Sequence, residues 1–381
     1  MLKVSQRGRI SPFIVMDVMR AANERAATGG DVLHLEVGQP STPAPAGVIE
    51  AAREAVGTEV LGYTDALGIP PLRDAIARHY RDAYGLTVPV EQIIVTTGSS
   101  GAFLLSFLSA FDEGDKVGLA APGYPAYKNI LEALGLDVIE FPVGPDSHFQ
   151  PTPDVLESLN VSLDGLIVAS PSNPTGSMIL PPAMKDLAAW CDTNGVRLIS
   201  DEIYHGIVYG QATASALAYS ESAIVINSFS KYFSMTGWRL GWMIAPPEML
   251  RSIECLTQNF FISPPTLSQV AALAVFDCRD ELDANVRRYA QNRELLLAEL
   301  PKVGLAEFAP ADGAFYIYAD VSHLTNDSQE FCRKVLAETG VAITPGIDFD
   351  RERGAGYVRF SFAGATDDMA EAAARLTTYL T

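Results

Sequence analysis

The stretch Asn227–Trp242, NSFSKYFSMTGWRLGW, holds a single lysine among hydroxyl, aromatic and small residues, directly after an apolar run. A lysine amine has an ordinary pKa near ~10.4, so at neutral pH it is a poor nucleophile unless burial or a nearby cation deprotonates it. The uncharged surroundings of Lys231 point to burial, and Arg239 stands eight residues on. That pairing suits a lysine that forms imines beside a phosphate, with Arg239 gripping the anion and lowering the amine's pKa. Ser228, three residues before the lysine, offers a hydroxyl to the same anion. A surface lysine beside a loop is the plainer alternative.

Five more segments follow apolar runs or sit within one. In LISDEIY, Asp201 ends a run, where α/β sheets bind their ligands, and a carboxylate there can keep a ring nitrogen protonated. Tyr204 is three residues on and can face the same crevice; the plain alternative for Asp201 is a helix N-cap. In SPSNPTG, Asn173 lies in a proline-stiffened loop and can donate to a phenolate-like oxygen, unless the segment is simply a tight turn. In TTGSSGA, Gly98, Ser99 and Ser100 could cradle a phosphate at a helix N-terminus, though a serine-capped helix explains them as well. Tyr124 in APGYPAY could stack on a flat ring. Arg359 in YVRFSF alternates into an apolar strand and suits a bidentate grip on a carboxylate, an internal salt bridge being the alternative.

Positioning these residues requires a sheet. The spacing predicts strands at 93–97, 117–120, 137–141, 165–169, 197–201, 223–228 and 241–245, several without polar alternation, as when both faces are covered. Helices are predicted at 71–84, 102–111, 125–134 and 182–194, and the alternation means a largely parallel α/β sheet. The last third changes pattern, with a charged helix at 280–299, strands at 314–320 and 357–362, and helices at 328–339 and 367–380. STPAPAG near Ser41 and ISPP near Pro264 are the expected crossings between two domains.

Bulk properties narrow the function. The chain has 381 residues, long enough for two cores, and a net charge of −19. Such a polyanion is repelled by nucleic acid and anionic membranes, so no nucleic-acid or membrane partner is expected. Gln92–Phe111 carries no charge over 20 residues, but its TTGSSG centre reads as a turn between a short strand and a buried helix. Cys191, Cys255, Cys278 and Cys332 show no metal-ligand spacing, and the five histidines are dispersed, so no metal is expected. Free thiols and an N-terminus without a signal-peptide h-region suit the cytoplasm.

Taken together, SFSKYFSMTGWRLG, SDEIY, SPSNPTG, TTGSSGA, PGYPAY and YVRFSF resemble, in order and spacing, the class I/II aminotransferases of fold type I, from LEVGQP near Gly38 to the last strand. The resemblance implies a large domain over 41–269 with a mostly parallel seven-stranded sheet, and a smaller α+β domain built from 1–40 and 270–381. It implies pyridoxal 5'-phosphate held as a Schiff base by Lys231, which also moves the α-proton. Asp201 matches the partner of the pyridine nitrogen, and Asn173 and Tyr204 the donors to the ring oxygen. Ser99, Ser100, Ser228 and Arg239 match the phosphate cup, and Tyr124 the ring that stacks on the cofactor. Gly38, Asn173 and Arg359 match the substrate-binding residues, Arg359 taking the α-carboxylate. Tyr63 resembles a tyrosine that reaches the other subunit's phosphate, which implies a homodimer.

The expected reaction is ping-pong transfer of an amino group between an amino acid and a 2-oxo acid. No second cation for a distal carboxylate is assignable. The amphipathic ISPFIVMDVM segment resembles one that covers the site in related members. A neutral aliphatic or aromatic donor, with 2-oxoglutarate or pyruvate as acceptor, is therefore the expected substrate pair. Two rivals share the cofactor: a carbon–sulfur β-lyase, and a non-catalytic sensor, which would need a basic DNA-binding module that this acidic chain lacks.

Overall fold

The computed structural model describes residues 2–381. Three of its helices are bracketed by the same residue types. Pro70–Tyr84, Pro125–Leu134 and Pro181–Asn194 each open on proline, whose fixed φ suits a position where the missing N–H is no loss. Each stops at a glycine in the left-handed region: Gly85 at φ 68°, Gly135 at φ 90° and Gly195 at φ 67°.

Among the described residues the strands run, in chain order, β1 Leu33–His34, β2 Ile93–Thr96, β3 Lys116–Ala121, β4 Asp137–Pro142, β5 Gly165–Ala169, β6 Arg197–Asp201, β7 Ile224–Ser228, β8 Gly241–Ile244, β9 Tyr316–Asp320, β10 Val341–Ala342, β11 Thr344–Pro345 and β12 Tyr357–Ser361. Strands β2 to β8 form one seven-stranded sheet in the order β2-β8-β7-β6-β5-β3-β4. Only β8 runs antiparallel to its neighbours; the β7–β6–β5–β3–β4 pairings are all parallel. Every strand of this sheet lies within one residue of its expected bounds. β2, β7 and β8 are buried at every residue, which is why they lack alternation. The uncharged stretch 92–111 resolves into β2, a turn and the helix Gly98–Ala110. Among the described residues no helix is long and apolar enough to cross a membrane.

A second, three-stranded antiparallel sheet has the order β11-β12-β9, and β1 pairs with β10. Its apolar residues, including Ile317, Val358 and Phe360, together with Phe315 just before β9, pack with Tyr289 and Leu296 of the helix Arg279–Glu299, Val335 of Ser328–Thr339 and Leu376 of Thr366–Leu380.

Two boundaries differ from the sequence reading for physical reasons. The helix expected from Ala102 opens at Gly98, because Gly98 takes φ 72° and the small Ser99 and Ser100 complete its first turn. The strand expected from Ala314 opens at Tyr316, because Ala314 is itself in the left-handed region at φ 57°.

Tight packing of the sheet makes a specific prediction. A Cβ on Gly165 would lie 2.2 Å from Cζ of Phe111. Gly165→Ala is expected to destabilise the protein by about 1–3 kcal/mol through overpacking. Adding Phe111→Leu should recover part of that loss, as read from urea midpoints of the two variants.

Candidate active site

The parallel strands all end on one edge of the large sheet, and the expected chemistry collects there. Asp201 is the last residue of β6, Asn173 lies just past β5, and Lys231 just past β7. β8 runs the other way, so Arg239, before its start, meets the same edge. A cavity of about 210 Å³ is lined by Lys231, Asp201, Asn173, Tyr204, Tyr124, Ser99, Ser100, Arg239, Arg359 and Gly38.

Two expected residues stand apart. Ser228 is buried, but its Oγ donates to Oγ of Ser230 at 2.9 Å and to the Leu240 carbonyl at 3.1 Å, and Ser230 is the hydroxyl that lines the cavity. Tyr63 is 84 % exposed and does not line its own subunit's cavity.

Lys231 is no surface lysine: its Nζ donates to the Gly38 carbonyl at 2.7 Å inside the cavity. Burial, and then the guanidiniums of Arg359 and Arg239, lower its pKa from 10.5 to about 8, against the opposing pull of Asp201. Asp201 is not a helix N-cap. The chain after β6 makes a turn, and Oδ1 accepts from the Ile203 amide at 3.1 Å while Oδ2 accepts from the Tyr127 hydroxyl. Burial raises the Asp201 pKa from 3.8 to about 6 although both hydrogen bonds favour the carboxylate.

Arg359 is 2 % exposed and makes no ion pair among the described residues. The internal salt bridge considered from sequence is therefore absent. Nη1 donates to Oδ1 of Asn173 at 2.7 Å, and Nη2 donates to the Glu36 carbonyl and, at 3.2 Å, to Oγ1 of Thr344. The guanidinium lies 4.4 Å from the Tyr316 ring centre and 4.8 Å from that of Phe349, while Nε has no partner.

On the opposite wall Thr97 provides no side-chain cap to the helix that opens at Gly98. The first-turn amides of that helix thus face the cavity beside Arg239, whose Nη2 would lie 2.5 Å from a Cβ on Gly98. Helix-start amides, the Arg239 guanidinium and the Ser99, Ser100 and Ser230 hydroxyls are donors that could hold a phosphate. Gly38 is required by contact: a Cβ there would lie 1.8 Å from the Tyr316 hydroxyl, which in turn bonds the Tyr204 hydroxyl at 2.7 Å.

Sequence reasoning gave no role to Tyr127, Tyr316, Ser230 or Thr344. Tyr127 was legible as the partner of Tyr124 three residues earlier; the other three carried no local signal. Phe13, Val15 and Met16 of the N-terminal segment do line the cavity.

A lysine lowered toward neutrality, sharing a cavity with a carboxylate and two guanidiniums at the carboxyl ends of a mostly parallel sheet, is suited to imine chemistry on an anionic ligand. The chain belongs to the family of class I and II aminotransferases, whose family model matches residues 30–376. It is 53% identical to a valine–pyruvate aminotransferase from Mycobacterium tuberculosis, over 99% of this chain and 98% of that protein. Among solved structures it is similar to an aminotransferase from M. tuberculosis, with a TM-score of 0.98, 52% identity and 100% and 99% of the two chains covered. It is also similar to an aspartate aminotransferase from Thermus thermophilus with maleate, with a TM-score of 0.94, 31% identity and both chains fully covered. The protein is thus an aminotransferase of a family that depends on pyridoxal phosphate, on the type I fold.

The raised pKa of Asp201 has a measurable consequence for the ligand-free protein. Its carboxyl is protonated more readily folded than unfolded, so the burial penalty is nil below about pH 4 and grows as pH rises to about 6. Asp201→Asn should stabilise the ligand-free protein against urea at pH 8, by about 1–3 kcal/mol at ~1.4 kcal/mol per pKa unit, and change little at pH 4. An equal effect at both pH values would contradict this account.

Proposed function

We propose that this aminotransferase moves the amino group of a neutral aliphatic or aromatic amino acid to pyruvate or 2-oxoglutarate. One observation carries the reading of the donor. The cations lining the cavity are Lys231, Arg239 and Arg359, and each already has a task. None is left for a distal carboxylate, while Phe13, Val15, Met16 and Val37 supply an apolar wall. The similarity to a valine–pyruvate enzyme supports the same donor class.

The residues fit pyridoxal 5'-phosphate. Bound there, it supplies an aldehyde for the lysine and a ring that accepts electrons. Arg239, the amides and hydroxyls of Ser99 and Ser100, and Ser230 backed by Ser228 hold the phosphate. Asp201, oriented by Tyr127, would keep the ring nitrogen protonated; Asn173 and Tyr204 would bond the ring oxygen, and Tyr124 would cover the ring face. Arg359, with Asn173 and the Gly38 backbone, holds the substrate α-carboxylate. The free Lys231 amine would take the α-proton and return it one position along, a task suited to a group whose pKa lies near working pH.

The working unit in this proposal is a homodimer in which Tyr63 reaches the second subunit's phosphate. Supporting it, exposed Val60 and Tyr63 adjoin exposed Phe260 and Ile262 through Thr64 N–H to Ser263 Oγ at 3.3 Å and Thr266 Oγ1 to the Gly62 carbonyl at 2.5 Å. An apolar patch of that kind marks an interface. The proposed division into 41–269, and 1–40 with 270–381, is supported by the pairing of β1 with β10. Four free cysteines support a cytoplasmic setting.

The test is a half-reaction. Holoenzyme mixed with single amino acids, without an oxo acid, should lose its visible absorbance with valine, alanine or phenylalanine, and far less with aspartate. Lys231→Ala should abolish the change, and Arg359→Gln should raise KM for every donor by more than tenfold. Aspartate well ahead of all neutral donors would refute the substrate reading, and ammonia release without an acceptor would indicate a lyase.

A further inference from the structure

The helix Ile14–Ala27 opens without a cap of its own, since Phe13 at the N-cap has no acceptor to offer. Its first amides are met instead by one carboxylate more than three hundred residues away. Oδ1 of Asp348 accepts from the Ile14 N–H at 3.0 Å and Oδ2 from the Val15 N–H at 3.1 Å. An acceptor anion at a helix N-terminus both satisfies orphan donors and complements the helix dipole. This one is buried, 8 % exposed.

What makes that cap more than a local device is where its two ends lead. On one side Phe13, Val15 and Met16 line the cavity, and the Phe13 ring meets the Tyr124 ring edge-on at 5.6 Å. On the other side Asp348 closes a short turn, Gly346–Asp348, that leaves β11 directly. Thr344 of β11 is opposite Arg359 in the ladder and accepts from its Nη2, and Phe349, next to Asp348, covers the guanidinium. The turn has no slack, because a Cβ on Gly354 would lie 2.2 Å from the Gly346 carbonyl oxygen.

We propose that Asp348 is a positioning residue that sets the distance between the apolar wall at residues 13–16 and the α-carboxylate grip of Arg359, and so selects substrates by side-chain size. The inference rests on the reading above that Arg359 holds the α-carboxylate of a neutral donor. A side chain as small as that of alanine gains little from the wall, whereas a branched chain depends on its closeness. The strap before the helix keeps separate tethers, from Arg351 to the Ser11 hydroxyl and from Asn129 Nδ2 to the Ser11 carbonyl at 3.4 Å. Removing the Asp348 carboxylate therefore loosens the helix start without freeing the segment.

The experiment compares Asp348→Ala and Asp348→Asn holoenzymes with L-valine and L-alanine as donors and 2-oxoglutarate as acceptor, together with hydrogen exchange at Ile14 and Val15. Asp348→Ala should raise KM for valine roughly fivefold, the factor that loss of a helix cap corresponds to, and leave kcat and the KM for alanine within about twofold. Asp348→Asn keeps one acceptor oxygen and should fall between, and exchange at the two amides should quicken in the same order. Equal losses for both donors, or an unchanged valine KM despite faster exchange, would overturn the proposal. A wild-type enzyme that accepts aspartate but neither neutral donor would overturn it together with the substrate reading, and would be seen before any variant is made.

Discussion

Arg359 carries a positive charge while only 2 % exposed, and among the described residues no carboxylate pairs with it. Dehydrating an ion costs several kcal/mol, so neighbouring groups must offset much of that cost. Here the offset comes from the Asn173 amide, the Glu36 carbonyl, the Thr344 hydroxyl and two aromatic faces. Those partners belong to the loop after β5, the chain after β1, β11, β9 and the turn past β11. One guanidinium thus ties the large sheet to the small one and both to the chain after β1. A carboxylate arriving there meets a charge that is already dehydrated and fixed, the condition under which an ionic contact is strongest.

The same dryness shapes the pair at the centre of the cavity. Lys231 is brought down to about 8 and Asp201 up to about 6, both chiefly by burial. Two groups that are ordinarily far apart on the pH scale end within reach of neutrality. Their positions follow from strand ends, not from flexible loops: Asp201 closes β6, and Lys231 follows β7 by three residues. Their geometry is therefore in place before a ligand arrives.

Much of this was legible in the chain itself. The sheet could be read because buried parallel strands are short, apolar and unalternating, and Pro and Gly bracket the helices between them. The residues at strand ends could be read because chemistry-bearing types stood where an α/β sheet opens. What escaped notice depended on direction or distance. Ser228 sits at a strand end as expected, yet its hydroxyl turns to Ser230 and Leu240, a choice made by local hydrogen bonding that no periodicity encodes. Tyr316 supports Tyr204 from 112 residues away, and Asp348 caps a helix from 334. Contacts between such remote positions leave no mark in either neighbourhood.

The pairing of Leu33–His34 with Val341–Ala342, and of Ile14 and Val15 with Asp348, has a consequence in time. A ribosome makes these partners more than three hundred residues apart, and at ~5–20 residues per second that separates them by tens of seconds. Throughout that interval the amphipathic first helix has neither its cap nor the strand beside it. The large sheet, β2 to β8, is complete in the nascent chain well before β9 to β12 appear. That sheet's edge therefore precedes its cover: residues 342–381 bring both Arg359 and the Asp348 carboxylate that holds the first helix beside it.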